Sequence, residues 1–164
     1  MWFWQALTIF GDAQFWVGAV LVSLVFLFTV PKRMRKHIAW FTFLVLPTVV
    51  LGYVISHGLK ILFKVSRPCS GLPFCPTTYS FPSGHATVVF AAMTILALHY
   101  KDKRLGIFLF VLASVSAFSR FMLNVHTLED VVFGSIIGIV IGILVQRAYR
   151  NYQEKIEGIV LKFK

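Results

Sequence analysis

The chain has 164 residues, of which 58% are hydrophobic and 13% are charged, and its net charge is +10. A soluble domain of this size has roughly half of its residues apolar and about a quarter charged. This composition excludes an ordinary water-soluble domain, and the mean hydropathy of +0.80 favours a protein of the lipid bilayer.

The first ten residues, MWFWQALTIF, do not have the pattern of a cleaved signal peptide. They carry no basic residue and lead to no small-residue cleavage site. Tryptophan is enriched at membrane interfaces. Two interpretations stay open: a short helix that lies in the membrane surface, or an irregular tail.

Five apolar runs then follow in chain order: Phe15–Val30, Ile38–Leu62, Ala86–Tyr100, Leu105–Phe118 and Val131–Val145. A helix needs roughly 20 residues to cross the hydrocarbon core, and polar flanks can extend a shorter run into the headgroups. We therefore predict an all-α polytopic transmembrane helix bundle with about five spanning helices. The count becomes six if the N-terminal residues form an interfacial or partial helix. Residues 1–164 are expected to form a single integral-membrane domain.

The basic residues predict the orientation of this bundle. They cluster at 32–36, at 101–104 and from Arg147 onwards, which are alternate ends of the predicted helices. Basic clusters beside membrane spans mark the cytoplasmic side. We therefore expect a multi-pass protein of the cytoplasmic (inner) membrane with its N-terminus outside and its C-terminus inside. This placement argues against a nucleic-acid partner.

The two outer connections, 58–83 and 119–128, and the residues directly after each of them include ionisable residues that the positive-inside pattern does not explain. They are Lys60, Lys64, Arg67, His85, Arg120, His126, Glu129 and Asp130. Ionisable groups at membrane depth are costly and mark functional sites. Several cations and two histidines on one side indicate a site for an anion.

The first of these segments contains Lys60 and Arg67, which are seven residues apart. Two helical turns separate them, so they are expected to project from one face of a helix. Pro68 disfavours helical geometry at Arg67, so this helix should end about there. The alternative is that both side chains only extend to the membrane interface.

The second segment is FPSGHA, Phe81–Ala86, at the start of an apolar run. Ser83 is a natural helix N-cap, and Gly84 allows a ligand to approach the backbone. The free amides and the positive end of the helix dipole favour a bound anion, towards which His85 would point. An ordinary cap followed by an interfacial histidine is the alternative.

In the third segment, SRFMLNVHTLEDVV, His126 and Asp130 are four residues apart and share a helix face. A carboxylate there can accept one ring N–H of the histidine and leave the other nitrogen free to attack. Thr127 and Asp130 also fit a capping box, which would make Asp130 structural. We favour the orientation of His126.

Together the segments read K-x6-R-P, P-S-G-H and S-R-x5-H-x3-D, and this order resembles the type 2 phosphatidic acid phosphatase superfamily. The signature positions present are Lys60, Arg67, Pro68, Pro82, Ser83, Gly84, His85, Ser119, Arg120, His126 and Asp130. The resemblance spans Lys60–Asp130. Membrane members of this family commonly have six spanning helices, whereas five are counted here.

This resemblance implies a membrane lipid phosphatase whose active site faces the outside of the cell. Lys60, Arg67, Ser83, Gly84 and Arg120 would bind the phosphate. His126 would attack phosphorus to give a phosphohistidine, Asp130 would orient it, and His85 would protonate the leaving group. Neither a metal nor another cofactor is expected.

The expected partner is a lipid of the bilayer. Candidate substrates are phosphatidylglycerol phosphate, undecaprenyl diphosphate and lipid A 1-phosphate, which the sequence does not rank. The alternatives are a lipid phosphotransferase that uses the same phosphohistidine, and a non-catalytic membrane anion-binding protein.

Cys69 and Cys75 bracket a short outer segment. The oxidising outer compartment favours a disulfide that closes this loop, and two free thiols are the alternative.

Overall fold

Six α-helices make up the computed structural model, which describes residues 2–73 and 75–162. They are α1 (Trp2–Thr8), α2 (Ala13–Thr29), α3 (Lys32–Phe63), α4 (Gly84–Tyr100), α5 (Lys103–Met122) and α6 (Leu128–Lys162), and a 3₁₀ turn (Ile9–Gly11) joins α1 to α2. The described residues contain no strand, which confirms the all-α prediction.

The predicted apolar runs coincide with α2 to α6. By length and composition, three of the described helices can cross a membrane: α3, α5 and α6. Helices α1 and α2 meet at 59° and would count as a fourth crossing if they form one broken span. Helix α4 has 17 residues, or about 25 Å, and lies at the lower limit for a span. The number of five spanning helices stays a prediction.

Helix α4 is the centre of the bundle. Every residue from Ala86 to Ile95 is buried, because α3, α5 and α6 pack around it. A helix that is apolar on all sides is expected in such a position. The outer helices instead expose large apolar side chains, such as Phe28 (83% exposed) and Leu62 (72%). These exposed faces require an apolar solvent, and the chain is a multi-pass membrane protein.

Helices α4 and α6 approach each other closely along a row of glycines on α6: Gly134, Gly138 and Gly142. A β-carbon built on Gly138 would lie only 2.4 Å from the carbonyl oxygen of Thr87. Small residues at such contacts are typical of membrane helix pairs. The contact runs from the start of α4, where Gly134 faces Ser83, to the middle of α4, where Gly142 faces Thr94.

Replacing Gly138 by leucine is therefore expected to destabilise the bundle. The added side chain meets the α4 backbone, and overpacking of this kind costs about 1–3 kcal/mol. The thermal unfolding midpoint in detergent should fall clearly. Gly18→Leu is the matched control, because a β-carbon at Gly18 in α2 meets no atom within 4 Å. Equal midpoints for the two variants would contradict this account of the packing.

One local prediction was wrong: α3 ends at Phe63, four residues before Arg67. Lys64 adopts a left-handed conformation (φ 50°). The chain then leaves the helix so that the Val65 carbonyl can accept a hydrogen bond from the Ser80 amide (2.8 Å). Lys60 and Arg67 thus do not share a helix face, and the outer connection begins at Lys64 rather than at residue 58.

Candidate active site

One end of the bundle collects all of the predicted site residues. Lys60 lies in the last turn of α3, Arg120 in the last turn of α5, and Asp130 in the first turn of α6. Arg67 and His126 lie in the two connections at this end, and Ser83, Gly84 and His85 form the start of α4. The basic segments at 32–35 and 101–104 are at the opposite helix ends.

His126 and Asp130 form a buried pair at this end. Nδ1 of His126 lies 3.3 Å from Oδ2 of Asp130. The Ser80 hydroxyl donates a hydrogen bond to the same carboxylate oxygen, and its oxygen is 3.4 Å from Nδ1. Asp130 can therefore hold the proton of His126 on Nδ1, which leaves Nε2 as the nitrogen with a free electron pair.

Asp130 also closes a capping box at the start of α6. The Thr127 amide donates to Oδ2 of Asp130 (2.9 Å), and the Asp130 amide donates to Oγ1 of Thr127 (3.2 Å). The sequence presented these two arrangements as alternatives. In the structure one carboxylate oxygen, Oδ2 of Asp130, makes both sets of contacts.

Arg67 faces the free nitrogen of His126. One of its terminal nitrogens, Nη1, lies 3.1 Å from Nε2 of His126 and also donates to the Val125 carbonyl (2.8 Å). Nε of Arg67 donates to the Thr78 carbonyl (2.7 Å). The loop backbone thus fixes the guanidinium beside the nitrogen that would react, and an anion bound here would meet both groups.

Two further cations retain unused donors. Lys60 is only 7% exposed, and its ammonium donates to the carbonyls of Tyr79 (2.7 Å) and Ser80 (2.8 Å). One of its three N–H groups remains. Nε of Arg120 is buried without a hydrogen-bond partner among the described residues. An incoming anion would satisfy such donors, since unpaired buried groups are costly.

The start of α4 adds backbone donors. Ser83 is buried and caps the helix by accepting a hydrogen bond from the Ala86 amide (3.4 Å), as predicted. Its own amide donates to the Asp130 carbonyl (2.9 Å), which ties α4 to α6. Within the described part of the chain, the amides of Gly84 and His85 donate no hydrogen bond. They remain available to an anion at the positive end of the helix dipole.

His85 has a partner that the motifs do not include. Its Nε2 lies 2.7 Å from Oδ1 of Asp12, which follows the 3₁₀ turn. The predicted orientation, with the N-terminus outside, puts Asp12 on the outer side, but no sequence motif connects it with the site. Ser80 and Thr78 were also missed, because their roles depend on how the loop folds back over α3.

Cys69 and Cys75 are joined in a disulfide, with an S–S distance of 2.11 Å. The closed segment lies between Arg67 and Thr78, the two residues whose side chains bond to each other at 2.9 Å. Among the described residues, no three histidine, cysteine or acidic side chains are grouped as metal ligands. The positive charge of this site comes from lysine and arginine side chains.

Burial sets the protonation state of His126. Loss of hydration and the nearby charges of Arg67 and Lys60 lower its pKa from the ordinary 6.5 to about 4, although the hydrogen bond to Asp130 acts in the opposite direction. His126 is therefore neutral at pH 7, which is the form that can act as a nucleophile.

This shift predicts a pH dependence of stability. Between pH 6.5 and about 4 the unfolded chain binds a proton at His126 that the folded site does not bind. Acidification over this interval therefore favours unfolding, and stability is regained as the pH rises. The thermal midpoint in detergent should fall across this range, and it should fall less in His126→Gln. If the midpoint depended on pH to the same extent in both proteins, the assignment of the lowered pKa to His126 would be contradicted.

An apolar cavity of about 510 Å³ is lined by residues of α1, α4, α5 and α6, including Trp4, Phe118 and Val131. Phe118 lies two residues before Arg120 in α5, and Val131 directly follows Asp130 in α6. The cavity is thus near the end of the bundle that holds the site, although none of the predicted site residues is in its lining.

Comparison with known proteins agrees with this arrangement. The family model described as the PAP2 superfamily matches residues 41–154. The chain is 31% identical over 112 residues to dolichyldiphosphatase 1 of Dictyostelium discoideum, which covers 59% of this chain and 49% of that protein. It is 30% identical over 131 residues to undecaprenyl-diphosphatase of Sulfolobus acidocaldarius, and this match covers 79% of this chain and 61% of that protein.

The fold also matches a solved structure. The crystal structure of a transmembrane PAP2 type phosphatidylglycerolphosphate phosphatase from Bacillus subtilis superposes with a TM-score of 0.74 at 24% identity, over 93% of this chain and 76% of that one. This likeness shows the fold. The chain spans about half to three fifths of the length of the two curated relatives that it matches.

Proposed function

The chain belongs to the PAP2 superfamily, and on that premise we propose that it hydrolyses the phosphate group of a membrane lipid. The substrate is a phosphate monoester or a diphosphate, and no metal ion takes part. The observation that carries this proposal is the position of Arg67 against Nε2 of a buried, neutral His126.

The phosphate-binding set consists of Lys60, Arg67, Arg120 and the start of α4. Its support is the number of donors left unused: one N–H of Lys60, the buried Nε of Arg120, and the amides of Gly84 and His85. Ser83 contributes by capping the helix that presents those amides. Such fixed donors stabilise the charge that develops on the phosphoryl oxygens in the transition state.

In the first half-reaction, Nε2 of His126 attacks phosphorus and its electron pair forms the new P–N bond. The bond from phosphorus to the leaving oxygen breaks, and that oxygen keeps the electron pair and takes a proton from His85. Asp130 stabilises the positive charge that appears on the ring of His126, in the manner of an Asp–His pair.

In the second half-reaction, water attacks the phosphohistidine while His85 accepts its proton. The P–N electron pair returns to Nε2 of His126, and inorganic phosphate leaves. His85 thus acts first as an acid and then as a base, a role that typically contributes roughly 10²- to 10⁴-fold.

A lipid is favoured over a soluble phosphate ester because of the apolar cavity near the site end of the bundle. Acyl or isoprenoid tails can lie there or in the bilayer while the phosphate reaches the cations. The names of the relatives fit this class, since they are diphosphatases of dolichyl and undecaprenyl lipids and a phosphatidylglycerolphosphate phosphatase.

The site is proposed to face the outside of the cell. The start of α4 and the end of α5 hold site residues, while the basic segments 32–35 and 101–104 are at the other helix ends. Basic residues remain on the cytoplasmic side. This orientation puts the N-terminus outside and the C-terminus in the cytoplasm, in the inner membrane.

The test is phosphate release by the purified protein in detergent with EDTA present. The substrates are phosphatidylglycerol phosphate, undecaprenyl diphosphate, lipid A 1-phosphate and a soluble sugar phosphate. A preparation from cells without the gene is the control for contaminating phosphatases. We expect release from at least one lipid and much slower release from the sugar phosphate.

The products separate the alternatives. Inorganic phosphate in amounts equal to the dephosphorylated lipid supports hydrolysis, whereas phosphate recovered on a second lipid indicates a phosphotransferase. No turnover of any lipid by folded protein would refute the proposal, and phosphate binding without turnover would indicate an anion-binding protein.

A further inference from the structure

Asp12 contacts the site from outside the three motifs and outside the residues 41–154 that the family model matches. Its Oδ1 lies 2.7 Å from Nε2 of His85, an ion-pair and hydrogen-bond distance. Asp12 is 44% exposed and His85 25% exposed, so both can be reached from the water at this end of the bundle.

The side chain of Asp12 is directed to His85 instead of to its own helix. Asp12 is the N-cap residue of α2, a position where aspartate usually accepts a hydrogen bond from an amide of the first turn. Here it makes no such bond. The carboxylate contacts His85, more than seventy positions away in the sequence, instead of an amide of its own helix.

The backbone before Asp12 is built for close contact with His85. A β-carbon on Gly11 would lie 2.9 Å from Cβ and 3.0 Å from Cδ2 of His85, so only glycine fits without displacement. Trp16 holds this turn by donating from its indole N–H to the Phe10 carbonyl (2.8 Å). The turn therefore packs against one side of the His85 ring in a defined position.

The charges around the pair keep the carboxylate ionised. The hydrogen bond with His85 is the main cause that lowers the pKa of Asp12, and the positive charge of Arg120 acts in the same direction against partial burial. When His85 is neutral, an ionised Asp12 binds the proton-bearing nitrogen. It therefore favours the tautomer with hydrogen on Nε2 and an electron pair on Nδ1.

We propose that Asp12 is the positioning residue of His85, so that the site contains two Asp–His pairs: Asp130 with the nucleophile and Asp12 with the acid–base histidine. Asp12 does not touch the phosphate. It acts through His85, and this inference rests on the proposed phosphatase function.

The proton then moves at Nδ1 of His85, which has no hydrogen-bond partner among the described residues. In the first step Nδ1–H gives its proton to the leaving alkoxide oxygen, which keeps the electron pair of the broken P–O bond. In the second step Nδ1 takes a proton from the attacking water. Asp12 remains a carboxylate throughout and stabilises the charged ring, which is the state that donates.

The experiment compares two leaving groups in Asp12→Asn. An alkyl phosphate such as phosphatidylglycerol phosphate leaves as an alkoxide and needs the proton, whereas p-nitrophenyl phosphate leaves as a stable phenolate and does not. We expect kcat for the alkyl phosphate to fall about 10- to 100-fold, part of the roughly 10²- to 10⁴-fold that a general acid supplies. We expect kcat for the aryl phosphate to change little. His85→Gln should likewise lower kcat for the alkyl phosphate much more than kcat for the aryl phosphate.

Glu129→Gln is the matched control. Glu129 is an exposed carboxylate next to Asp130 at the same end of the bundle, so this variant makes the same change in charge without touching His85. It should behave as the unmodified protein. Equal losses on both substrates in Asp12→Asn, or no loss on either, would overturn the proposal.

A second measurement does not depend on turnover. Histidine ¹⁵N chemical shifts report which ring nitrogen carries hydrogen, and His85→Gln identifies the signals of His85 among the five histidines. In the unmodified protein neutral His85 should carry hydrogen on Nε2, and in Asp12→Asn this preference should be lost. An unchanged tautomer would overturn the pairing, even if the protein hydrolyses none of these substrates and the proposed function itself fails.

Discussion

Replacing His126 by alanine is expected to abolish phosphate release while leaving the protein folded. In the proposed mechanism Nε2 of His126, which lies 3.1 Å from Nη1 of Arg67, forms the bond to phosphorus. Removal of a covalent nucleophile lowers kcat by roughly 10⁴-fold or more. The measurement is phosphate release from the preferred lipid, with His57→Ala as the matched control. His57 is an exposed histidine of α3 that stacks on Tyr53.

A covalent label makes this prediction specific to the nucleophile. Brief exposure to substrate labelled with ³²P should give a phosphoprotein whose label is lost in acid and kept in base, which is typical of a phosphoramidate. The label should be present in His57→Ala and absent from His126→Ala. Turnover retained by His126→Ala, or a label retained by it, would rule out His126 as the attacking group.

The helices could be predicted from the sequence because each is a long apolar run bounded by polar residues. Each predicted run matches one helix of the structure, from α2 to α6, and only the first run, Phe15–Val30, extends one residue past the end of its helix. The number of crossings could not be predicted in the same way. Helix α4 has only 17 residues, between the N-cap Ser83 and the left-handed C-cap Lys101. Helices α1 and α2 meet at a bend that no periodicity indicates.

The segment from Lys60 to Arg67 shows that sequence-local rules do not predict a helix end that depends on a long-range contact. Pro68 restricts Arg67 and does predict a helix end nearby. The actual end lies at Phe63 because Val65 pairs with Ser80, a contact between residues 15 positions apart. The two cations still converge, but they do so through the loop backbone that binds both of them.

The pair of Asp12 and His85 could not be inferred from spacing at all. Sequence motifs identify residues only by their position along the chain. The predicted membrane topology adds the side of the membrane on which a residue lies, which for Asp12 is the outer side. Contact with His85 depends on the turn at Gly11 and on its packing against α4. In contrast, the four-residue spacing of His126 and Asp130 predicted their contact, which the structure shows at 3.3 Å. The predicted shared helix face was wrong in detail, because His126 lies just before the first residue of α6.

Asp130→Asn is expected to lower kcat by about 10³- to 10⁴-fold, because a neutral amide cannot stabilise the positive ring of phosphorylated His126. The effect on folding should be smaller. Asparagine can place its carbonyl oxygen where Oδ2 now accepts hydrogen bonds from Ser80 and Thr127. The measurements are kcat for the preferred lipid and the thermal midpoint in detergent.

Thr127→Val separates the two roles of Asp130. It removes the hydroxyl that accepts from the Asp130 amide, but it retains the backbone amide that binds the carboxylate. Loss of a cap costs about 1 kcal/mol, so the midpoint should fall while kcat changes little. If Asp130→Asn lost only stability, or if Thr127→Val lost as much activity as Asp130→Asn, then Asp130 would be a capping residue. The orientation of the nucleophile would then have to come from Ser80, whose hydroxyl oxygen lies 3.4 Å from Nδ1 of His126.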